Sequence, residues 1–206
     1  MFPKIDQLIT QLLLNYDSIP KERRVVLNDL ASKIRSELSV EKSLNLLFVC
    51  THNSRRSHMG QIWGTIAARY FDLPLLSYSA GTEITALHPN VIQMLMNEGF
   101  EIKSERNELN SVIHISYESG ASVSCFSKLI DDVHNPKDNF IALMMCTDAE
   151  SNCPFVPGAI SRVGIPFNDP KSFDGSSQVM KAYSATMMEI GIQILYLFNQ
   201  IKNDEK

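Results

Sequence analysis

Cys50 is followed six positions later by an arginine, in the run Cys50-Thr51-His52-Asn53-Ser54-Arg55-Arg56-Ser57. That spacing alone is a weak signal, and its flanks make it specific. Leu44 to Val49 is an apolar run ending at the cysteine, and beyond Arg56 apolar residues recur at helical spacing at Met59, Trp63, Ile66, Ala67 and Tyr70. A strand, a tight loop and a helix start therefore follow one another within a few residues. Such a loop aims successive backbone N–H groups inward, and the helix start adds its positive dipole end, which together make a cradle for a tetrahedral dianion. Arg56 can add a bidentate, charge-assisted pair that lysine could not match. The same field favours the thiolate of Cys50, and Ser57 can donate a hydrogen bond to the sulfur. Asn53 is expected to adopt a left-handed backbone and tie the loop together through its amide. The plainer readings are a buried, inert cysteine at a strand end and an ordinary turn asparagine.

Two further places could carry chemistry. Cys146 ends the apolar run Phe140 to Met145, and Cys153 follows seven residues later, just before Pro154. The two make no zinc-type pair and are too far apart for a C-x-x-C redox motif, although a flexible loop could join them. Asp169 precedes Pro170, which restricts the aspartate to an extended backbone and so fixes how its carboxylate projects; Asp-Pro is also an ordinary turn opener. Asp174 is a nearby spare carboxylate. Cys125 reads as a buried hydrophobe, and His88, His114 and His134 are scattered singly, with no ligand role.

The positioning elements follow from periodicity. Residues 1–43 read as a helical hairpin, with Ile5, Leu8, Ile9 and Leu12 on one face and Val25, Val26, Leu30, Ile34 and Leu38 on another, and Pro20 in the first turn of the second helix. Leu75 to Ala80 predicts a strand, Pro89 to Glu98 a helix closed by Gly99, and Val112 to Tyr117 with Ala121 to Phe126 either a hairpin or two sheet strands. Phe140 to Met145 suits a buried parallel strand and Ser161 to Phe167 another. A long last helix should begin near Ser176 or Ser177 and bury Met180, Tyr183, Met187, Ile190, Ile194, Leu197 and Ile201. Alternating strands and helices predict an α/β fold with a mainly parallel sheet, helices on both faces, and ligands at the carboxyl ends of the strands, where Cys50, Cys146 and Asp169 all fall.

Composition bounds the partners. With 206 residues, 44% of them apolar, the chain can bury one good core. Nineteen basic against 23 acidic residues give a net charge of −4, which argues against a nucleic-acid partner, so an anion must be captured locally. No apolar run is long enough for a membrane span and Met1 to Pro20 lacks a signal-peptide pattern, so the cytoplasm is expected. There, four cysteines stay reduced and are not staples.

The run Leu46 to Ser57, together with Ser79-Ala80-Gly81-Thr82, resembles the low-molecular-weight protein tyrosine phosphatase superfamily, which includes the thioredoxin-coupled arsenate reductases. The resemblance spans about residues 44–201, with 112–139 looking like an insertion, and so divides the chain into a helical extension, 1–43, and a phosphatase/arsenate reductase-like domain, 44–206. It implies a three-layer sandwich around a four-stranded parallel sheet, nucleophilic catalysis by Cys50, oxyanion binding by Thr51, His52, Asn53, Ser54, Arg55, Arg56 and Ser57, and Asp169 as general acid. The segment Cys146-Thr147-Asp148-Ala149-Glu150-Ser151-Asn152-Cys153-Pro154 is similar to the redox segment of the arsenate reductases. It implies a three-thiol relay from Cys50 through Cys146 to Cys153, with thioredoxin as reductant and no bound cofactor.

The chain departs from the family in three places. His52 replaces the usual loop glycine, Arg55 replaces a second loop cysteine, and Gln61 stands where some arsenate reductases carry a glutamate linked to a potassium site, so no metal is expected. Arsenate reduction is the leading reading, phosphatase action on phosphotyrosine or small aryl phosphates the alternative, and a non-catalytic oxyanion sensor the third. Phe173 as the sole aromatic close to Asp169-Pro170 weakly favours the reductase.

Overall fold

The computed structural model describes residues 1–106, 108–152 and 155–203. Helices α1 (Pro3–Leu13) and α2 (Lys21–Leu38) lead into β1 (Leu44–Cys50), α3 (Arg56–Phe71), β2 (Leu75–Gly81) and α4 (Pro89–Asn97). Then come β3 (Glu101–Ser104), β4 (Ile113–Glu118), β5 (Ala121–Cys125), β6 (Phe140–Met144), the short α5 (Thr147–Asn152), β7 (Ala159–Gly164) and α6 (Val179–Asn203).

Strands β2-β1-β6-β7 form one sheet in that order, every pair parallel. Leu46, Leu47, Phe48 and Val49 of β1, and Ile141 to Met144 of β6, are all fully buried. Successive strand residues point to opposite faces, so both faces are covered by helices, and this is why β6, and β1 from Leu46 onward, read as continuous apolar runs. Helix α3 packs on β1, β2 and α6, bringing Trp63 into the core, where its indole N–H donates to the Met187 carbonyl at 2.9 Å. Gly191 allows that approach, because a Cβ there would lie 2.6 Å from Trp63 Cε2.

The stretch expected to be an insertion supplies β4 and β5, which with the preceding β3 form a second, antiparallel sheet ordered β3-β4-β5. The two runs around Glu118-Ser119-Gly120 are thus a hairpin, turning at Gly120 with φ +78° and irregular in register between Ser116 and Glu118. Strand β3 was not foreseen: its residues are exposed or half-buried, without the alternation that marks a half-buried strand. Helix α6 starts at Val179, later than expected, because residues 173–179 form turns in which Ser176 Oγ accepts from Gln178 N at 3.2 Å. Met180 is only partly buried, while Tyr183, Met187, Ile190, Ile194, Leu197 and Ile201 line the core.

The N-terminal helices share that core. Ile5 and Ile9 of α1 and Leu27, Leu30, Ala31 and Ile34 of α2 are buried, and both helices lie against α6. The inward stripe of α2 differs from the expected one: Val25 and Val26 are exposed, since Leu27 at i with Leu30, Ala31 and Ile34 at i+3, i+4 and i+7 makes the more continuous face. Pro20 sits one residue before the helix, as its N-cap. Among the described residues no helix is long and apolar enough to cross a membrane.

Candidate active site

Cys50 is the last residue of β1 and only 4% exposed. Its sulfur lies 3.0 Å from Ser57 Oγ, in the first turn of α3. Asn53 takes the left-handed conformation its sequence position suggested, φ +42°, and its amide donates to Ser57 Oγ at 2.8 Å. With that lone pair occupied, the Ser57 proton is free to point at the sulfur. Asn53 Oδ1 accepts from Lys128 N at 2.8 Å, fastening the loop to the segment after β5.

Three of the loop carbonyls are bonded to the segments around it. Thr51 O accepts from Thr82 N and Glu83 N, His52 O from the Thr85 and Ser127 hydroxyls, and Ser54 O from His88 N. Among the described residues, none of the backbone N–H groups from His52 to Arg55 donates to a protein acceptor. A row of free N–H groups beside a helix N-terminus is what a tetrahedral oxyanion requires. Gly81 closes the back of this loop: a Cβ there would lie 2.7 Å from Asn53 N and 2.8 Å from Thr51 O, both rigid backbone atoms.

The two arginines part company. Arg56 stays at the site, 8% exposed, donating from Nη2 to Asp169 Oδ2 at 2.5 Å and from Nη1 to the Phe167 carbonyl at 2.9 Å. Its buried Nε has no partner among the described residues and remains a donor for an anion. Arg55, expected among the oxyanion ligands, sends its guanidinium elsewhere: Nε donates to Tyr183 Oη at 2.7 Å and Nη2 to Asp174 Oδ2 at 2.8 Å. Only its backbone N–H is left for the cradle, because the side chain is spent on those two partners. His52 likewise offers its backbone alone. Its φ is not positive, so a side chain fits where the family usually has glycine, and the ring turns out to Glu83 at 3.3 Å.

Asp169 follows β7 and has the extended backbone that Pro170 imposes, φ −82° and ψ 123°. Its Oδ1 accepts from Lys171 N at 3.0 Å and caps a 3-10 turn over Pro170–Phe173. Cys146 follows β6, the neighbour of β1, and is 1% exposed. Its sulfur is 3.5 Å from Thr51 Oγ1 and accepts from Ala149 N at 3.4 Å. Val49 O accepts from Met145 N at 2.7 Å, so the chain entering Cys146 runs alongside the chain entering Cys50. Cys153 lies outside the described residues.

Behind the loop is a polar cluster the sequence did not announce. Lys128 is 3% exposed, its ammonium 3.5 Å from Ser79 Oγ and 4.5 Å above the Phe126 ring. Ser79 Oγ donates to Gln61 Oε1 at 2.7 Å and lies 3.1 Å from His58 Nδ1. Burial, helped by the Lys128 charge, pushes the His58 pKa down to about 3, and burial lowers that of Lys128 as well. Cys125, also fully buried, is pushed up to about 12 by burial and stays a thiol. His88, given no role from sequence, accepts from Asn90 N and stacks on Tyr183. His114 pairs with Glu105 and His134 with Asp132, away from the cysteine loop.

No family model matches the chain. It is 32% identical over 132 residues to an arsenate reductase of Bacillus cereus, covering 64% of this chain and 80% of that one. A Shouchella clausii arsenate reductase is 29% identical over 150 residues, 72% of this chain and 91% of that one. In structure, the chain matches a low-molecular-weight phosphotyrosine phosphatase from Vibrio cholerae with a TM-score of 0.54 at 15% identity, covering 80% of this chain and 100% of that one. The chain belongs to the arsenate reductase family and shares its fold with low-molecular-weight phosphotyrosine phosphatases.

Proposed function

We propose that this protein reduces arsenate to arsenite, using Cys50 as nucleophile and Cys146 and Cys153 as a disulfide relay. The observation that carries the reading is the placement of Cys50 and Cys146 at the carboxyl ends of adjacent parallel strands, with Thr51 Oγ1 touching the Cys146 sulfur. Neighbouring strands are about 4.8 Å apart, a backbone separation that a disulfide can span, and the relay requires the segment after β6 to carry the Cys146 sulfur to that of Cys50.

In this mechanism the free N–H groups of the loop and Arg56 bind arsenate. Arg56 then gives up part of its pairing with Asp169, which takes up a proton from solvent and passes it to the departing oxygen. The Cys50 thiolate forms a sulfur–arsenic bond and one oxygen leaves as water. Cys146 as thiolate next attacks the Cys50 sulfur. The electron pair of the sulfur–arsenic bond passes to arsenic, reducing it from the +5 to the +3 state, and arsenite departs. Cys153 attacks Cys146 and frees Cys50, and an external dithiol, thioredoxin in this proposal, reduces the Cys146–Cys153 disulfide. No bound cofactor is needed, and a relay of free thiols suits a reducing cytoplasm.

The second reading, hydrolysis of aryl phosphates, is favoured by the completeness of Cys50, Arg56 and Asp169 without any help from Cys146. Arsenate-dependent NADPH oxidation, coupled through thioredoxin and its reductase, separates the two. Turnover lost in Cys50→Ser, Cys146→Ser and Cys153→Ser supports the relay. No turnover in wild type, with aryl phosphate hydrolysis that survives Cys146→Ser, makes the protein a phosphatase.

A further inference from the structure

The segment from Pro166 to Asp174 carries Asp169 and is anchored at both ends by arginines that lie outside it. At its start, Arg23 of α2 donates from Nη2 to the Pro166 carbonyl at 2.6 Å, and its guanidinium carbon lies 5.4 Å from the Phe167 ring centroid. The next carbonyl, Phe167 O, is the one that receives Arg56 Nη1. At its end, Asp174 accepts from Arg55 Nη2 at 2.8 Å, from Tyr183 Oη at 2.7 Å and from Asn90 Nδ2 at 2.9 Å. Asp169 sits between the anchors, its two carboxylate oxygens held by Lys171 N and Arg56.

We propose that Arg23 and Asp174 are positioning residues for Asp169, so that the N-terminal helices serve the reaction by fixing where its general acid stands. This rests on the reading of Asp169 as general acid. Arg23 lies in residues 1–43, outside the stretch that resembles the family, and reaches the segment through a backbone carbonyl that any sequence there would present. A charge-assisted bond to a carbonyl is directional, and a loop fixed at only one end loses the sub-ångström placement that proton transfer demands. Asp174 acts by another route: it ties the acid segment to Arg55, a member of the anion-binding loop itself, so that the two loops move as one body.

The test uses leaving-group dependence, because a general acid matters when the leaving group is a poor one and hardly at all when it is good. Hydrolysis of phenyl phosphate and of 2,4-dinitrophenyl phosphate, the first chemical step shared by both readings above, is measured for the full chain, for Arg23→Met and for Asp174→Asn, each also combined with Asp169→Asn. Methionine keeps the apolar contact with Phe167 and removes the donors. The expected result is at least a tenfold loss of kcat on phenyl phosphate, less than a twofold change on the dinitrophenyl ester and in KM, and no further loss when Asp169 is already asparagine. An equal loss on both esters, an unchanged profile, or losses that add to that of Asp169→Asn would overturn the proposal. Arg23→Lys, which retains one donor, should recover part of the phenyl phosphate rate; no recovery from a variant that melts at the wild-type temperature also counts against it. A wild type that neither hydrolyses these esters nor reduces arsenate removes the general-acid reading itself, and the positioning role with it.

Discussion

Asp169 Oδ2 lies 2.5 Å from Arg56 Nη2, so the two groups expected to act on opposite sides of the same substrate are bound to each other. An incoming oxyanion has to compete with the carboxylate for the guanidinium. Asp169→Asn weakens that competitor and at the same time removes the acid. Phosphate or arsenate should therefore bind several-fold more tightly, while turnover falls about 10² to 10³-fold, within the usual range for losing a general acid. Calorimetric titration with phosphate checks the first half; weaker binding in the variant would show that Asp169 is not the competitor.

The Cys50 sulfur is served by a short chain of donors, Asn53 Nδ2 to Ser57 Oγ to Sγ. Ser57→Ala removes the contact to sulfur directly. Iodoacetamide should then alkylate Cys50 about tenfold more slowly at pH 7, an amount in line with one charge-assisted hydrogen bond of about 1.5 kcal/mol. Asn53→Ala should slow it too, by releasing Ser57. Rates equal to wild type in both would mean that the hydroxyl does not support the thiolate.

His58 gives a pH prediction. Its folded pKa of about 3 lies below the ordinary 6.5, with burial the largest cause and the Lys128 charge next. Between those two values the unfolded chain binds a proton that the folded one refuses, so stability is lost as pH falls from about 6.5 toward 3, at up to about 1.4 kcal/mol per pH unit. Urea unfolding at pH 7 and pH 5 should show a drop on the order of 1 to 2 kcal/mol from this group. In His58→Gln the drop should shrink by that amount, and an undiminished drop would assign the acid sensitivity to other groups.

Gly81→Ala tests the packing behind the anion loop. The new methyl group meets Asn53 N, Thr51 O and Glu83 O at 2.7–2.8 Å, and backbone cannot step aside as a side-chain tip can. The expected cost is about 1–3 kcal/mol, typical of overpacking. Because the strain falls on the loop, activity should drop more than the melting temperature suggests; a variant with full activity and reduced stability would place the strain elsewhere.

The candidate site was largely legible because its residues lie in one short run whose flanks have clear periods: the apolar run Leu46 to Val49 before Cys50 and a 3.6-residue repeat after Arg56. The same kind of signal pointed to a mainly parallel sheet, its four strands being what the family resemblance implied, and the left-handed Asn53 followed from the tolerance of asparagine for that backbone. What escaped the sequence is whatever depends on long-range packing. Arg55 looked like an anion ligand by adjacency, yet Tyr183 and Asp174, 128 and 119 residues away, take its side chain. Tyr183 reads as one more apolar residue of the stripe on α6, with nothing to show that its hydroxyl reaches the anion loop. Lys128 and Arg23 carry no motif. A lysine in a poorly matching stretch and an arginine on an amphipathic helix both look like solvated charges until burial is known.

The relay is tested most directly by trapping it. Cys153→Ser cannot pass the disulfide onward, so one equivalent of arsenate added to the reduced variant should yield one equivalent of arsenite and leave Cys50 joined to Cys146, seen by mass spectrometry of a non-reducing digest. A variant that releases no arsenite and keeps Cys50 and Cys146 as free thiols, while wild type turns over, would contradict the account.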